Sequence, residues 1–314
     1  MLNNPQISKL IGKIERFKDL IEPMIFEKVD EVDFSAFVTS DRLHDIPSDD
    51  KFSPVEKGFT WYGKDSYCWY KGKYTVPANL EGQDLFIKPH MQGYEALLFV
   101  NGRTMGTFAT KIAYTGHGNH YCDMIKKNAV CGDELNIIIE YYGGHDNPGN
   151  HPCENITIKD YNFSYNGADI CTKNTEIQEY YFDLLAVLQL AQALPDDNFM
   201  KGFAVNALYE VHKKVHYLLE DCDYETFIKG IRDSAADLKK VLNMKSQDSA
   251  PFIGLIGHSH MDTAWLWHVG ETEKKVTRTY ANALALMEQY PEYMFVQSSA
   301  CHSDMIRKNY PELF

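Results

Sequence analysis

The sequence predicts a multidomain α+β chain, and changes in its apolar period carry the prediction. Apolar residues recur every three to four positions over 7–21 and over 177–244, which is the period of helices. Over 59–165 they recur every second position, with turn residues between the runs, which is the period of strands in a β-sandwich. From 252 to 297 the pattern becomes strand, helix, strand. Four segments follow: 1–57, an N-terminal helix and an extended connection; 58–170, a sandwich; 171–250, a three-helix spacer; and 251–314, the start of an α/β domain.

In the first segment Ile7, Leu10, Ile11, Ile14, Phe17 and Ile21 form one apolar stripe, and Pro23 ends the helix. Residues 24–57 are mixed and acidic, with Pro47, Pro54 and Asp49-Asp50, and are expected to wrap the surface as an extended connection. Strands are expected over 69–76, 84–88, 94–100, 134–141 and 156–163. Asn101-Gly102 is a two-residue hairpin turn, because both central positions need positive φ. Tyr114, Tyr121 and Tyr142 have the look of exposed aromatics that could stack on saccharides, but packing or scaffold use is the favoured reading, and the Gly- and Pro-rich run 143–153 is expected as a loop.

Three helices follow. Ile177, Tyr181, Leu184, Leu185, Leu188 and Ala191 line the first; Phe203, Leu208, Val211, Val215, Leu218 and Leu219 the second; Phe227, Ile228, Ile231, Ala235, Leu238 and Leu242 the third, with Asp223 as its cap. His212 and His216 lie four apart on the second helix, flanking Lys213 and Lys214, and are expected on a solvated face. The run from Glu271 to Tyr290 is a helix, and 293–297 a strand parallel to the one before it.

The formal net charge of -13 argues against nucleic acid or an anionic membrane surface as partner. Seven cysteines, an odd number with no Cys-x-x-Cys pair, fit reduced thiols and a cytoplasmic protein. No apolar run reaches signal-peptide or membrane-spanning length. The sequence allows a homo-oligomer.

The chemistry concentrates at Phe252-Ile-Gly-Leu-Ile-Gly-His258-Ser-His260-Met-Asp262-Thr-Ala-Trp265-Leu-Trp267. A short apolar run bounded by glycine reads as a buried strand, and ligands of α/β sheets bind where such strands end. Imidazole and carboxylate at alternate positions suit zinc or a related divalent ion. The bland alternative has the histidines hydrogen-bonded at a strand end and Asp262 capping the next helix. Tryptophan beside such a cluster suits the C–H face of a sugar; Trp265 is the candidate, and Trp267 is assigned to the core.

Here a resemblance becomes specific. Residues Gly257 to Phe314 resemble the opening of the catalytic domain of glycoside hydrolase family 38, the retaining α-mannosidases. The matching residues are His258-Ser-His260-Met-Asp262-Thr-Ala-Trp265-Leu-Trp267, Glu271-Thr-Glu-Lys-Lys-Val-Thr-Arg278-Thr, Leu286-Met-Glu-Gln-Tyr-Pro291-Glu-Tyr-Met-Phe295-Val-Gln-Ser298 and Tyr310-Pro-Glu-Leu-Phe314. The chain departs from the family at Ser298-Ser-Ala-Cys-His302-Ser, where the family usually has Ser-Gln-Ala-Gln, a hydrophobe and an aromatic residue; His302 is expected to act locally. The resemblance implies that His260 and Asp262 are metal ligands, most readily of zinc, and that Trp265 stacks on mannose. No catalytic residue falls within this stretch. The nucleophile, the acid/base and two further ligands would lie beyond Phe314.

Residues 59–165 also resemble the jelly-roll, galactose-binding-like domains that stand beside glycosidase catalytic domains. The architecture implied is an N-terminal helix, a jelly-roll, a helical spacer and the first βαβ unit of a (β/α) barrel. The chain is therefore read as the N-terminal part of an enzyme hydrolysing terminal α-D-mannosides, inactive by itself. Two other functions fit less of the sequence. A metal-dependent amidohydrolase also opens with His-x-His but predicts neither tryptophan, and a non-catalytic carbohydrate-binding protein would work through the sandwich alone.

Overall fold

A computed structural model describes residues 3–109, 121–145, 161–245, 254, 257–258, 260–265 and 267–314. The chain divides into two compact units, 1–27 with 173–253, and 28–172 with 254–314. Residues 1–27 thus group with the helices that follow the sandwich.

The first unit contains α1 (Asn4–Ile21), α2 (Thr175–Ala193), α3 (Phe199–Lys214) and α4 (Tyr224–Leu242). Each starts at a side-chain cap: Asn3, Asn174, Asn198 and Asp223 accept from backbone N–H groups of the first turn. The expected stripes meet in one core around Ile14, Phe17, Leu184, Leu208, Phe227 and Leu238. Lys214 ends α3, so Leu218 and Leu219 lie past the helix and are exposed, and His216 is off it as well. His212 is not on a solvated face. Its Nδ1 lies 2.7 Å from the Tyr217 hydroxyl and burial holds its pKa below the ordinary value.

The second unit is built on strands β1 (Phe26–Val32), β2 (Phe34–Thr39), β3 (Ser53–Pro54), β4 (Thr60–Tyr62), β5 (Tyr67–Thr75) and β6 (Leu85–Met91). They are followed by β7 (Glu95–Val100), β8 (Arg103–Ala109), β9 (Asp123–Lys126), β10 (Glu134–Tyr142) and β11 (Asn162–Lys173). One sheet runs β1-β11-β6-β9, with β4 beside β11; the other runs β3-β2-β5-β10-β7-β8. Both are closed by antiparallel pairs such as β5 with β10, and Asn101-Gly102 turns β7 into β8 with φ of 51° and 82°. Residues 26–39 and 53–54 are strands of these sheets rather than a wrapping connection. Phe34 and Ala36 alternate into the core, a pattern too short to stand out among the acidic residues. Residues 156–160 of the last expected strand lie outside the described residues, and β11 continues to Lys173.

The six-stranded sheet is buried on both faces. Cys68, Tyr70, Leu98, Ile137, Ile139 and Tyr141 point into the core shared with the other sheet. Their neighbours Tyr67, Trp69, Leu97, Phe99, Ile138 and Tyr142 point the other way, into a second core completed by Val276, Ala281, Ile306 and Tyr310. Double burial explains the unbroken runs Ala96-Leu-Leu-Phe-Val100 and Ile137-Ile-Ile139. It also makes Tyr142, which is 2% exposed, a packing residue, as favoured from the sequence. Tyr114 lies outside the described residues.

The elements on that second face are β12 (Gly257–His258), α5 (Val269–Gln289), β13 (Phe295–Val296) and α6 (Ala300–Asn309). β12 and β13 are parallel, Gly257 opposite Phe295 and His258 opposite Val296, with α5 between them in sequence.

Charges hold α5 to the sheet. Lys274 Nζ is fully buried and donates to Glu140 Oε1 at 2.7 Å, the Tyr310 hydroxyl at 3.0 Å and the Leu43 carbonyl, so all three N–H donors are used. The Tyr67, Trp69 and Tyr310 rings lie 5.5–5.7 Å from the same nitrogen. Arg278 donates to Glu271 and lies 2.9 Å from Glu95 Oε2, and the Tyr67 hydroxyl donates to Glu271 Oε2 at 2.6 Å. Burial raises the Glu140 pKa, opposed by Lys274.

Removing one member leaves an uncompensated charge inside. Lys274→Met is expected to destabilise the chain by about 3–5 kcal/mol. The double variant Lys274→Met with Glu140→Gln should lose less than Lys274→Met alone. Urea unfolding of the variants checks both; simple additivity would contradict the pairing.

Candidate functional site

The metal-type residues singled out in the sequence, His260 and Asp262, sit on the loop leaving β12. The parallel pairing carries the ends of β12 and β13 to the same side, so this loop meets the start of α6. His258 remains in the strand, its Nδ1 3.1 Å from the Val296 carbonyl oxygen. Along 260–262 the side chains part. Met261 packs toward the core under the sheet, while His260 and Asp262 face out, with side-chain exposures of 81% and 40%. His260 Nε2 and Asp262 Oδ1 are 3.4 Å apart. The expected residues therefore converge in space. Among the described residues, no group of three or more His, Cys, Asp or Glu forms a metal-type cluster.

Beyond Asp262 the backbone turns through Ala264 at φ 62°, a left-handed value that a β-carbon disfavours. Trp265 emerges 48% exposed, edge-on to Trp267 with ring centroids 5.7 Å apart at 84°. Trp267 is half-buried rather than core. Its Nε1 donates to Thr272 Oγ1 at 3.0 Å, and Lys275 Nζ stands 4.8 Å from its ring.

His302 has the local role expected of it. It is 2% exposed, and its Nδ1 lies 3.1 Å from Gln297 Nε2 and its Nε2 2.7 Å from Thr263 Oγ1. A Gln297 amide that donates to Nδ1 leaves the proton on Nε2, which then donates to Thr263. The residue next to Asp262 is thus tied to the first turn of α6. Two contributors were not anticipated as site-forming: Thr272, which accepts from Ala264 N–H at 3.0 Å, and Glu95, which accepts from Lys275 at 2.7 Å. Thr272 carries no chemical signal of its own, and Glu95 lies far away in sequence.

The model of the Glycosyl hydrolases family 38 N-terminal domain matches residues 251–314. The C-terminal segment of this chain is thus similar to the N-terminal domain of glycosyl hydrolase family 38. Similarity to individual α-mannosidases runs further along the chain. Human Alpha-mannosidase 2C1 is 25% identical over 89% of this chain and 26% of its own length. Alpha-mannosidase G of Dictyostelium discoideum is 27% identical over 52% of this chain, and Alpha-mannosidase of Saccharomyces cerevisiae 28% over 48%, each over 14% of its own length. The chain thus spans about a quarter or less of the curated relatives it matches. Among solved structures, Ruminococcus gnavus Beta-glucuronidase overlaps 47% of this chain and 28% of its own, at a TM-score of 0.31 and 12% identity. No described helix is long and apolar enough to cross a membrane.

In this segment, burial lowers the His302 pKa below its ordinary 6.5. Between that lowered value and 6.5 the unfolded chain binds a proton that the native chain refuses. The stabilising contribution is complete above pH 6.5 and is lost as pH falls through the lowered value. His44, also lowered by burial and by Lys274, acts in the same direction. Stability should therefore drop as pH falls from 7 to 5.5, less steeply in His302→Gln. A His302 imidazole resonance titrating at or above 6.5 would contradict this.

Proposed function

We propose that this chain supplies part of the active site of a retaining α-mannosidase acting on terminal α-D-mannosides. The observation that carries the reading is the pairing of His260 and Asp262 beside an exposed Trp265, within the segment that matches the family 38 domain. On this reading residues 58–170 would be the jelly-roll and residues 251–314 the first βαβ unit of the barrel. The cysteine pattern supports a cytoplasmic enzyme.

His260 and Asp262 would hold a divalent cation, zinc by the chemistry of its donors. The geometry fits: ligands about 2.1 Å from a tetrahedral ion are about 3.4 Å from each other, and the two donor atoms stand 3.4 Å apart. They are two of the four donors such a site takes. When bound, the ion supplies positive charge to sugar hydroxyls. The chain's own part is to orient: Met261, partly buried against the second core, keeps its two neighbours pointing outward, and His302 fixes Thr263 behind them. Trp265 offers an apolar indole face to the C–H face of a hexose. Double displacement requires two carboxyl groups about 5 Å apart, and by the family resemblance both follow Phe314.

Titration of the chain with Zn²⁺, followed by ¹H–¹⁵N correlation spectra, should move His260 and Asp262 resonances first. His260→Ala or Asp262→Ala should weaken binding by more than the roughly 10–100-fold that follows loss of a ligand's supporting partner. Zn²⁺ binding indifferent to both substitutions would sink the metal assignment. Residues 1–314 by themselves should release no 4-nitrophenol from 4-nitrophenyl α-mannoside; measurable release would contradict the placement of the catalytic carboxylates.

A further inference from the structure

The loop from Thr263 to Trp267 is fastened at a buried hydroxyl. Thr272, in the first turn of α5, is 0% exposed, and its Oγ1 accepts from Ala264 N–H and from Trp267 Nε1, each at 3.0 Å. It also lies 3.5 Å from the His268 carbonyl oxygen, the acceptor for its own hydrogen. A hydroxyl has one hydrogen and two lone pairs, and here all three are engaged. The left-handed Ala264 and the indole two residues past Trp265 therefore depend on the same atom.

A separate set of contacts acts on the same indole. Lys275 Nζ stands 4.8 Å from the Trp267 ring centroid and pairs with Glu95 Oε1 at 2.7 Å, so a carboxylate on β7 holds an ammonium against the ring. With its N–H and its π system both engaged, Trp267 is built as a support. Trp265 stands edge-on to it, and the Trp265 backbone N–H donates to the Trp267 carbonyl at 3.2 Å.

We infer that Thr272 is a positioning residue that fixes the exposed indole of Trp265 through Ala264 and Trp267, and that Glu95 and Lys275 brace the same support from the sheet. What lands on that indole, a hexose, rests on the proposed function; the fastening does not. The sheet of the second unit thus sets the orientation of the sugar-facing surface, although it contributes no residue to it.

The four tryptophans of the chain make the test direct by ¹⁹F NMR after 5-fluorotryptophan labelling. Trp61 and Trp69, both buried in the sheets, report the fold. In Thr272→Val the Trp265 and Trp267 lines should move toward the solvent-exposed position while Trp61 and Trp69 hold, and Thr272→Ser should keep the wild-type spectrum. Lines for Trp265 and Trp267 that stay put in Thr272→Val overturn the inference. Should Thr272→Val lose the fold, Trp267→Phe decides in its place: a shifted Trp265 line supports the fastening, an unmoved one refutes it. Methyl α-mannoside added with Zn²⁺ should shift the wild-type Trp265 line, with at least tenfold weaker apparent affinity in Thr272→Val. A Trp265 line blind to mannoside, but displaced in Thr272→Val, sinks the proposed function and leaves the fastening standing.

Discussion

The second unit depends on what happens to the charge of Lys274. Its ammonium sits fully buried among the Tyr67, Trp69 and Tyr310 rings, and desolvating it is unfavourable unless every donor finds an acceptor. Glu140 from β10, Tyr310 after α6 and the Leu43 carbonyl between β2 and β3 supply all three. Those groups lie up to 231 positions from Lys274 along the chain, so the pairing selects one arrangement of sheet and helix. Apolar contacts around it supply area, and the ion pair supplies register.

The same register reaches the candidate site. One turn along α5 from Lys274 lies Arg278, paired with Glu271, and Glu271 also accepts from Tyr67 on β5. Thr272 follows Glu271 directly and holds the loop that presents Trp265. The metal-type residues and the indole are exposed, yet each is flanked by a packed or hydrogen-bonded neighbour: Met261 between His260 and Asp262, Thr263 against His302, Trp267 against Thr272 and Lys275. A rigid floor under an open surface is what orientation of a small polar ligand requires.

Much of this was legible in the sequence. The helix stripes, the Asp223 cap and the Asn101-Gly102 turn follow from local periodicity and backbone preference, and they recur in the structure. The connection over 24–57 was not legible as strand, because Phe34 and Ala36 alternate for too few residues to show against acidic neighbours. A packing use for Tyr142 was legible, but not the core it joins, since a sandwich normally leaves one face wet; the second core under α5 covers it. His212 was assigned to solvent from the lysines beside it, whereas its bond to Tyr217 belongs to the chain past the end of α3.

The sequence alone determined the periods of its elements, the strand-helix-strand order of the last segment and the kinds of atom that reach the candidate site, since these are set by neighbours along the chain. Only the tertiary structure decided that Glu140 and Glu95, more than 130 positions away from their lysines, are the partners that hold α5. It also decided that a plain threonine fastens the loop. A buried charge is satisfied by whatever folding brings within about 3 Å, and no local pattern encodes that distance.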